Sequence, residues 1–193
     1  MKHFCYDVET LSLKEVGVVL SAAIVEFNPL GGETMSQLLE KTLLVKFDAA
    51  EQARDGRVID DDVVEWWKKQ DPEVQKVSLG SAWTVPTIHG INTLRKYITD
   101  RVGVGDDYVF WTRGSLDQFI TDSLCESAGQ KPLVPYKFYR DVRTAIDLLY
   151  GSSNGYTSIP KDMVDVQIRK HDPRHDVCLD ALMLASGETF GGK

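Results

Sequence analysis

Short runs of apolar and β-branched residues dominate the first quarter of the chain. One run lies within the opening HFCYDVET, a second covers 16–27, and a third is centred on 42–47. The NPLGG segment after the second run has the composition of a turn. Runs of this length, rich in Val, Ile, Leu and Phe and bounded by turn residues, predict β-strands. We therefore expect three early strands arranged as a meander.

Helical spacing replaces this pattern in the rest of the chain. The acidic stretch 60–62 is expected to cap and charge the start of a helix through VVEWWKKQ, which Asp71 and Pro72 interrupt before a helical turn in EVQKVSL. Apolar residues also recur at helical intervals in 88–98, 115–125, 142–150 and 177–185, and 108–111 predicts a short buried strand. Strands followed by helices around a later strand predict an α/β domain with a mixed central sheet flanked by helices.

The composition is that of an ordinary globular protein. The 193 residues are 42% hydrophobic and 26% charged, which predicts one self-sufficient domain over 1–193 with a short flexible tail from about residue 187. No apolar run is long enough to cross a bilayer, and the strand that begins almost at Met1 leaves no room for a targeting segment. The three cysteines have no C-x-x-C spacing, so we expect reduced thiols, no membrane partner and a cytoplasmic location.

The net charge of −7 leaves the class of partner open. Proteins that bind nucleic acid usually neutralise phosphates with Lys and Arg, which this balance disfavours. Carboxylates that bind metal are nevertheless counted as negative, and two divalent ions would return about four positive charges to such a site. A nucleic-acid partner is therefore not excluded.

Two carboxylates stand two residues apart on the first predicted strand. Side chains alternate faces along a strand, so Asp7 and Glu9 are expected to project from the same face. Two oxygen ligands directed to one point suit Mg²⁺ or Mn²⁺. A chance acidic pair on a surface strand has the same sequence, so this motif gains weight only from further acids and a base.

A third acid, Asp117, lies near the start of the helix that follows the buried strand. Such a position directs its carboxylate towards the sheet edge, although an acid in a first turn is also favoured by the helix dipole alone. Asp122, on the same predicted helix, is an alternative.

The last helical segment, RHDVCLDALMLA, supplies a histidine and a fourth acid. His175 precedes Asp180 by five residues, and His171 precedes Asp176 by the same interval. We favour His175 and Asp180, because apolar residues anchor the helix beside them and His171 lies in a Pro-interrupted stretch. A neutral imidazole accepts a proton from water that a metal has acidified, and the carboxylate holds the metal. For either histidine, simple solvation is the alternative interpretation.

Together, these motifs resemble the DEDD superfamily of 3′-5′ exonucleases, in its DEDDh branch. The W-x-R-G-x-x-D segment that ends at Asp117, the DDVVEWWKKQDPEVQK stretch and the DVRT at Asp141 are similar to phage exonuclease A proteins and related small exoribonucleases. The resemblance implies a ribonuclease H-like fold. It also implies that Asp7, Glu9, Asp117 and Asp180 bind two divalent ions, Mg²⁺ or Mn²⁺, with His175 as general base.

The implied reaction is metal-dependent 3′-5′ hydrolysis of single-stranded DNA or RNA with a free 3′ end, releasing nucleoside 5′-monophosphates. Thr10 and Leu11 match positions that hold the terminal nucleotide in the family. By analogy a homodimer is expected, and a phage origin would place the protein in the host cytoplasm. One alternative is a catalytically inactive nucleic-acid-binding module with the same fold. Another is a cysteine hydrolase that uses Cys178 beside His175.

The adjacent tryptophans Trp66 and Trp67 point about 100° apart on a helix. Trp67 shares a face with apolar neighbours and is expected in the core, whereas Trp66 is a candidate platform for an unpaired base. Packing of both rings is the alternative. The nearest cations for phosphate contacts are Arg113, Lys137, Arg140 and Arg143, for which simple solvation is the alternative.

Overall fold

A mixed sheet organises the molecule. The computed structural model describes residues 1–187, and the predicted tail from about residue 187 otherwise lies outside them. Within those residues the sheet has five strands in the order β3-β2-β1-β4-β5. The strands are β1 (Lys2–Thr10), β2 (Val19–Phe27), β3 (Leu43–Lys46), β4 (Tyr108–Thr112) and β5 (Tyr139–Asp141). The first three form the predicted antiparallel meander, and β4 and β5 run parallel to β1.

Helices cover both faces of this sheet, as the α/β prediction required. They are α1 (Met35–Lys41), α2 (Ala49–Arg54), α3 (Asp61–Trp67), α4 (Pro72–Ser78), α5 (Thr87–Thr99), α6 (Leu116–Ser127), α7 (Val142–Tyr150) and α8 (Pro173–Ser186). The sequence pattern did not predict α1, α2 or β5. Each of them is short, so it offers little periodicity, and α1 depends on a capping box between Thr34 and Gln37. No helix in residues 1–187 has the length and apolar character to cross a bilayer.

Alternation along β1 separates two hydrophobic cores. Phe4, Tyr6 and Val8 belong to the core formed with α5 and α6, whereas Cys5 belongs to the core formed with α8. Asp7 and Glu9 have the same parity as Cys5, so they lie on the face that α8 covers. Because β4 is parallel to β1, the carboxyl ends of both strands meet at one edge of the sheet. The acidic motif and the start of α6 are therefore neighbours.

Asp-Pro pairs start two of the helices. Asp71 caps α4 through the backbone N–H of Glu73, with Pro72 in the first turn, and Asp172 caps α8 in the same way, with Pro173 in its first turn. Proline suits the first turn because the amide it lacks has no partner there. The Pro-containing stretch before His175 is thus the beginning of α8 rather than an interruption.

Candidate active site

Asp7 and Glu9 lie on the wall of a cavity of about 410 Å³ between β1 and the start of α8. Burial raises the pKa of both carboxyl groups well above the usual range, and the charges of Asp117 and Asp176 raise both further. Acids this crowded resist ionising together unless a cation neutralises them.

Asp117 lies in the first turn of α6 and is buried, with 7% of its surface exposed. Burial raises its pKa to about 7 and the charge of Asp180 adds to the effect, while the backbone amides of Arg113 and Val8 oppose it. Its charge also raises the pKa of Asp7, so the two carboxyl groups are close. Asp122 lies elsewhere, beside a separate cavity with Glu15 and Phe119.

His171 and Asp176 complete the acidic cluster. One ring nitrogen of His171 and one carboxylate oxygen each of Glu9 and Asp176 all lie within 4.8 Å of one another. The backbone N–H of His171 donates to Asp176 Oδ2 at 2.9 Å. Burial raises the pKa of Asp176 to about 7, with the charge of Asp180 adding to it. This group has the oxygen and imidazole donors that a divalent ion requires.

The backbone of His171 is itself unusual. Its φ of +65° places it in the left-handed region, which non-glycine residues seldom occupy. Its ring meets the Trp66 ring edge to face, with 4.8 Å between centroids. Strain of this kind persists only where the surroundings hold it, and it is concentrated at functional sites. Both features mark His171 as a positioned side chain.

The favoured pair, His175 and Asp180, is placed differently. His175 is buried in the first turn of α8, where Nδ1 accepts the backbone N–H of Arg169 at 3.4 Å, and it does not line the cavity. Asp180 does line the cavity, but its carboxylate pairs with Arg113, whose Nε donates to Oδ1 at 3.0 Å. In this geometry the side chains of the overlapping pair, His171 and Asp176, meet Glu9. The assignment of base and ligand to either pair stays a prediction.

A second, largely apolar cavity of about 410 Å³ adjoins Glu9. Trp66 lines this cavity and leaves 39% of its surface exposed. Thr10 lines the cavity as well, and the Thr10 carbonyl accepts the indole N–H of Trp67 at 2.9 Å. Trp67 is in the core, as predicted.

Leu11 instead packs inside the small core around Val18 and Trp67. Two unpredicted residues, Leu13 and Leu116, line the apolar cavity in its place. A bulge between Glu9 and Thr10 interrupts the alternation of side chains between the two faces at the end of β1. The order of residues in the motif does not predict such a bulge.

The structure contradicts the cysteine-hydrolase alternative. Cys178 is buried in the core of α8, where its Sγ lies 3.3 Å from the hydroxyl of Thr42. Burial raises the pKa of this thiol to about 12, so the nucleophilic thiolate does not form near neutral pH.

Solved structures first show the fold. The nuclease domain of 3′hExo, a DEDDh family member bound to rAMP, superimposes with a TM-score of 0.60 at 15% identity over 95% of this chain and 90% of that one. E. coli exonuclease I, in a zinc-bound complex with single-stranded DNA, gives a TM-score of 0.58 at 10% identity over 95% of this chain and 39% of that one. The fold is that of the ribonuclease H-like DEDDh exonucleases, as the sequence predicted.

Sequence relatives then identify the family. Residues 2–186 match the model of the 3′-5′ exoribonuclease Rv2179c-like domain, and the chain belongs to this family. The exodeoxyribonuclease of Enterobacteria phage T4 is 31% identical over 95% of this chain and 88% of its own length. The protein is a 3′-5′ exonuclease acting on nucleic acid.

Proposed function

We propose that the protein is a metal-dependent exonuclease that removes nucleoside 5′-monophosphates from the 3′ end of single-stranded DNA or RNA through a two-metal-ion mechanism. The observation that carries this proposal is the cluster of Glu9, His171 and Asp176 within 4.8 Å, on a cavity wall shared with Asp7. Binding alone does not require buried carboxyl groups whose pKa values are raised, because such groups repel the phosphates of a ligand.

The residues present fit divalent metal ions. Asp7, Glu9, Asp117 and Asp176 would hold them, since burial and mutual repulsion raise the pKa of every one of these carboxyl groups. Bound ions would acidify the attacking water and stabilise the departing oxygen. In this proposal Asp176 takes the place that the family resemblance implies for Asp180, although burial also raises the pKa of Asp180 and that residue lines the same cavity.

His171 is the proposed general base. Burial lowers the pKa of its imidazole, and the neighbouring charge of Lys170 lowers it further, so the ring is neutral near pH 7. A neutral ring nitrogen beside the carboxylates accepts a proton from the attacking water. The hydrogen bond from its backbone to Asp176 and its contact with Trp66 hold the ring in position.

Asp180 acts through Arg113 in this proposal. The guanidinium of Arg113 also donates to the carbonyl of Gly155 at 2.8 Å and lies 4.3 Å from the centre of the Tyr156 ring. These contacts fix a cation on the wall of the acidic cavity. Asp180 is therefore a positioning residue, which holds a positive charge where the substrate phosphate enters.

The apolar cavity next to Glu9 is the proposed site of the terminal base, with Trp66 as its stacking surface. Replacing Trp66 with alanine is expected to raise KM for oligonucleotides about 5- to 150-fold, because stacking on an aromatic ring contributes about 1–3 kcal/mol per base. Steady-state kinetics on a single-stranded substrate measures the change. Trp83→Ala is the matched control, since Trp83 is fully exposed and lines neither cavity. An equal change in both variants would remove Trp66 from the site.

A cleavage panel tests the proposed function. Purified protein is incubated with 5′-labelled single-stranded RNA, single-stranded DNA and duplexes, each with Mg²⁺, Mn²⁺ or EDTA. We expect stepwise shortening from the 3′ end and mononucleotide release with metal only. Tight binding without shortening would instead support the inactive binding module. The panel also decides whether the substrate sugar is ribose or deoxyribose, because the family is described as exoribonucleases and the phage T4 relative as an exodeoxyribonuclease. Light scattering separately tests the predicted homodimer.

A further inference from the structure

A third cavity, of about 420 Å³, lies on the far side of the loop that joins β4 to α6. Its wall contains the starts of α6 and α7 and includes Gly114, Ser115, Gln118, Arg140, Arg143 and Thr144. The DVRT segment thus lies on this wall rather than in the acidic cavity. None of the metal-site carboxylates lines it.

The charge of this cavity is positive. Arg140 and Arg143 are exposed, and neither forms an ion pair with a carboxylate in residues 1–187. The one acid on the wall, Asp141, already accepts the N–H of Gly114 at 2.7 Å and both the N–H and the hydroxyl of Thr144. Asp141 therefore serves to join the two helix starts. Arg140 Nη1 donates to the backbone carbonyls of Lys137 at 2.8 Å and Tyr139 at 2.7 Å, which are uncharged acceptors, so both guanidinium groups keep a positive charge for an anion.

Arg143 connects this cavity with the active site. Gly155, at a φ of +72°, leaves room for the Arg143 stem, because a Cβ there would come within 2.7 Å of Arg143 Cβ. The carbonyl of the same glycine accepts the hydrogen bond from Arg113. A chain leaving the acidic cavity past Arg113 therefore meets Arg143 next.

We propose that Arg140 and Arg143 bind the phosphodiester backbone on the 5′ side of the scissile bond. The inference rests on the proposed exonuclease function and names a subsite for it. Guanidinium groups match phosphate oxygens in bidentate geometry. A chain with a net charge of −7 repels a polyanion at long range, so the attraction must come from local cations such as these.

The test compares two substrates on the Arg140→Gln, Arg143→Gln double variant. One is a single-stranded oligonucleotide that spans both cavities, and the other is the p-nitrophenyl ester of thymidine 5′-monophosphate, whose single phosphate reaches only the acidic cavity. The ratio of kcat/KM for the oligonucleotide to that for the ester is expected to fall about 10- to 100-fold, which corresponds to about 1.4–2.7 kcal/mol for the two exposed arginines together. The salt dependence of oligonucleotide binding should weaken by about 1.4 in log–log slope.

The matched control is Arg54→Gln with Lys131→Gln, which changes the net charge equally at exposed positions outside the three cavities. An unchanged ratio in the arginine variant, or an equal fall in the control, would overturn the inference. So would equal losses on both substrates. A wild-type protein that cleaves neither substrate would instead refute the proposed function. Fluorescence anisotropy with a labelled oligonucleotide then still decides the subsite, since unaltered affinity in the arginine variant contradicts it.

Discussion

Replacing His171 with alanine lowers kcat by about 10²- to 10⁴-fold, the contribution expected of a positioned general base. KM changes little, because the terminal base still packs against Trp66 in the neighbouring cavity. The variant does not relieve the left-handed backbone at this position, because alanine tolerates a φ of +65° no better than histidine does. Single-turnover cleavage of a 5′-labelled oligonucleotide measures the loss directly.

Two other histidine variants make this result diagnostic. His175→Gln retains a polar group for the Arg169 amide and is expected to keep most activity. His89→Ala removes an exposed imidazole in the first turn of α5, outside the acidic cavity. Thermal unfolding of all three variants separates a lost base from a lost fold. If His175→Gln abolished turnover in a folded protein while His171→Ala did not, the pair favoured by the sequence would be right and the geometric assignment wrong.

The general form of the site follows from local sequence rules. Period-two alternation correctly places Asp7 and Glu9 on one face of β1, and helical spacing places Asp117 in the first turn of α6. Trp67 is in the core because it shares a face with Val63 and Val64, which pack beside it. Each of these inferences needs only the geometry of one element. The ribonuclease H-like fold came from the order of the motifs, which resembles that of a known family.

The periodicity of strands and helices does not distinguish between the two overlapping histidine motifs. Both pairs have the same spacing, and the apolar residues that anchor α8 continue beyond both of them. The structure shows where the two histidines lie, because Asp172 and Pro173 begin α8, which puts His175 in its first turn and leaves His171 in the preceding loop. The same Asp-Pro arrangement starts α4, so this helix boundary could have been predicted from the sequence. The left-handed backbone at His171, in contrast, has no signature in a single sequence.

Replacing Asp7 with asparagine is expected to change activity and stability in opposite directions. The substitution removes a proposed metal ligand, and the metal supplies several kcal/mol of transition-state stabilisation, so kcat should fall about 10³-fold or more. In the metal-free protein the same substitution removes a charge that burial and the neighbouring acids make costly. The variant is therefore expected to melt at a higher temperature than the wild type in EDTA.

The pH dependence fixes the sign of this effect. Burial and the neighbouring charges raise the folded-state pKa of Asp7 above its value of about 3.9 in the unfolded chain, and burial raises those of Asp117 and Asp176 to about 7. Between the unfolded-state and folded-state pKa values, the folded protein binds more protons than the unfolded chain does. The free energy of unfolding of the metal-free protein therefore falls as the pH rises from about 4 through 7. The advantage of Asp7→Asn in EDTA should grow over the same range.

Metal addition should reverse the comparison. Mg²⁺ or Mn²⁺ binds the folded wild type and raises its melting temperature most at high pH, whereas Asp7→Asn should show a much smaller rise. Asp122→Asn is the matched control, because burial also raises the pKa of Asp122, yet that residue lies outside the acidic cavity. It should keep both the activity and the full metal-induced rise. If metal raised the melting temperature of Asp7→Asn as much as that of the wild type, the ions would bind elsewhere, and the cost of burying the Asp7 carboxylate would have no counterpart in metal binding.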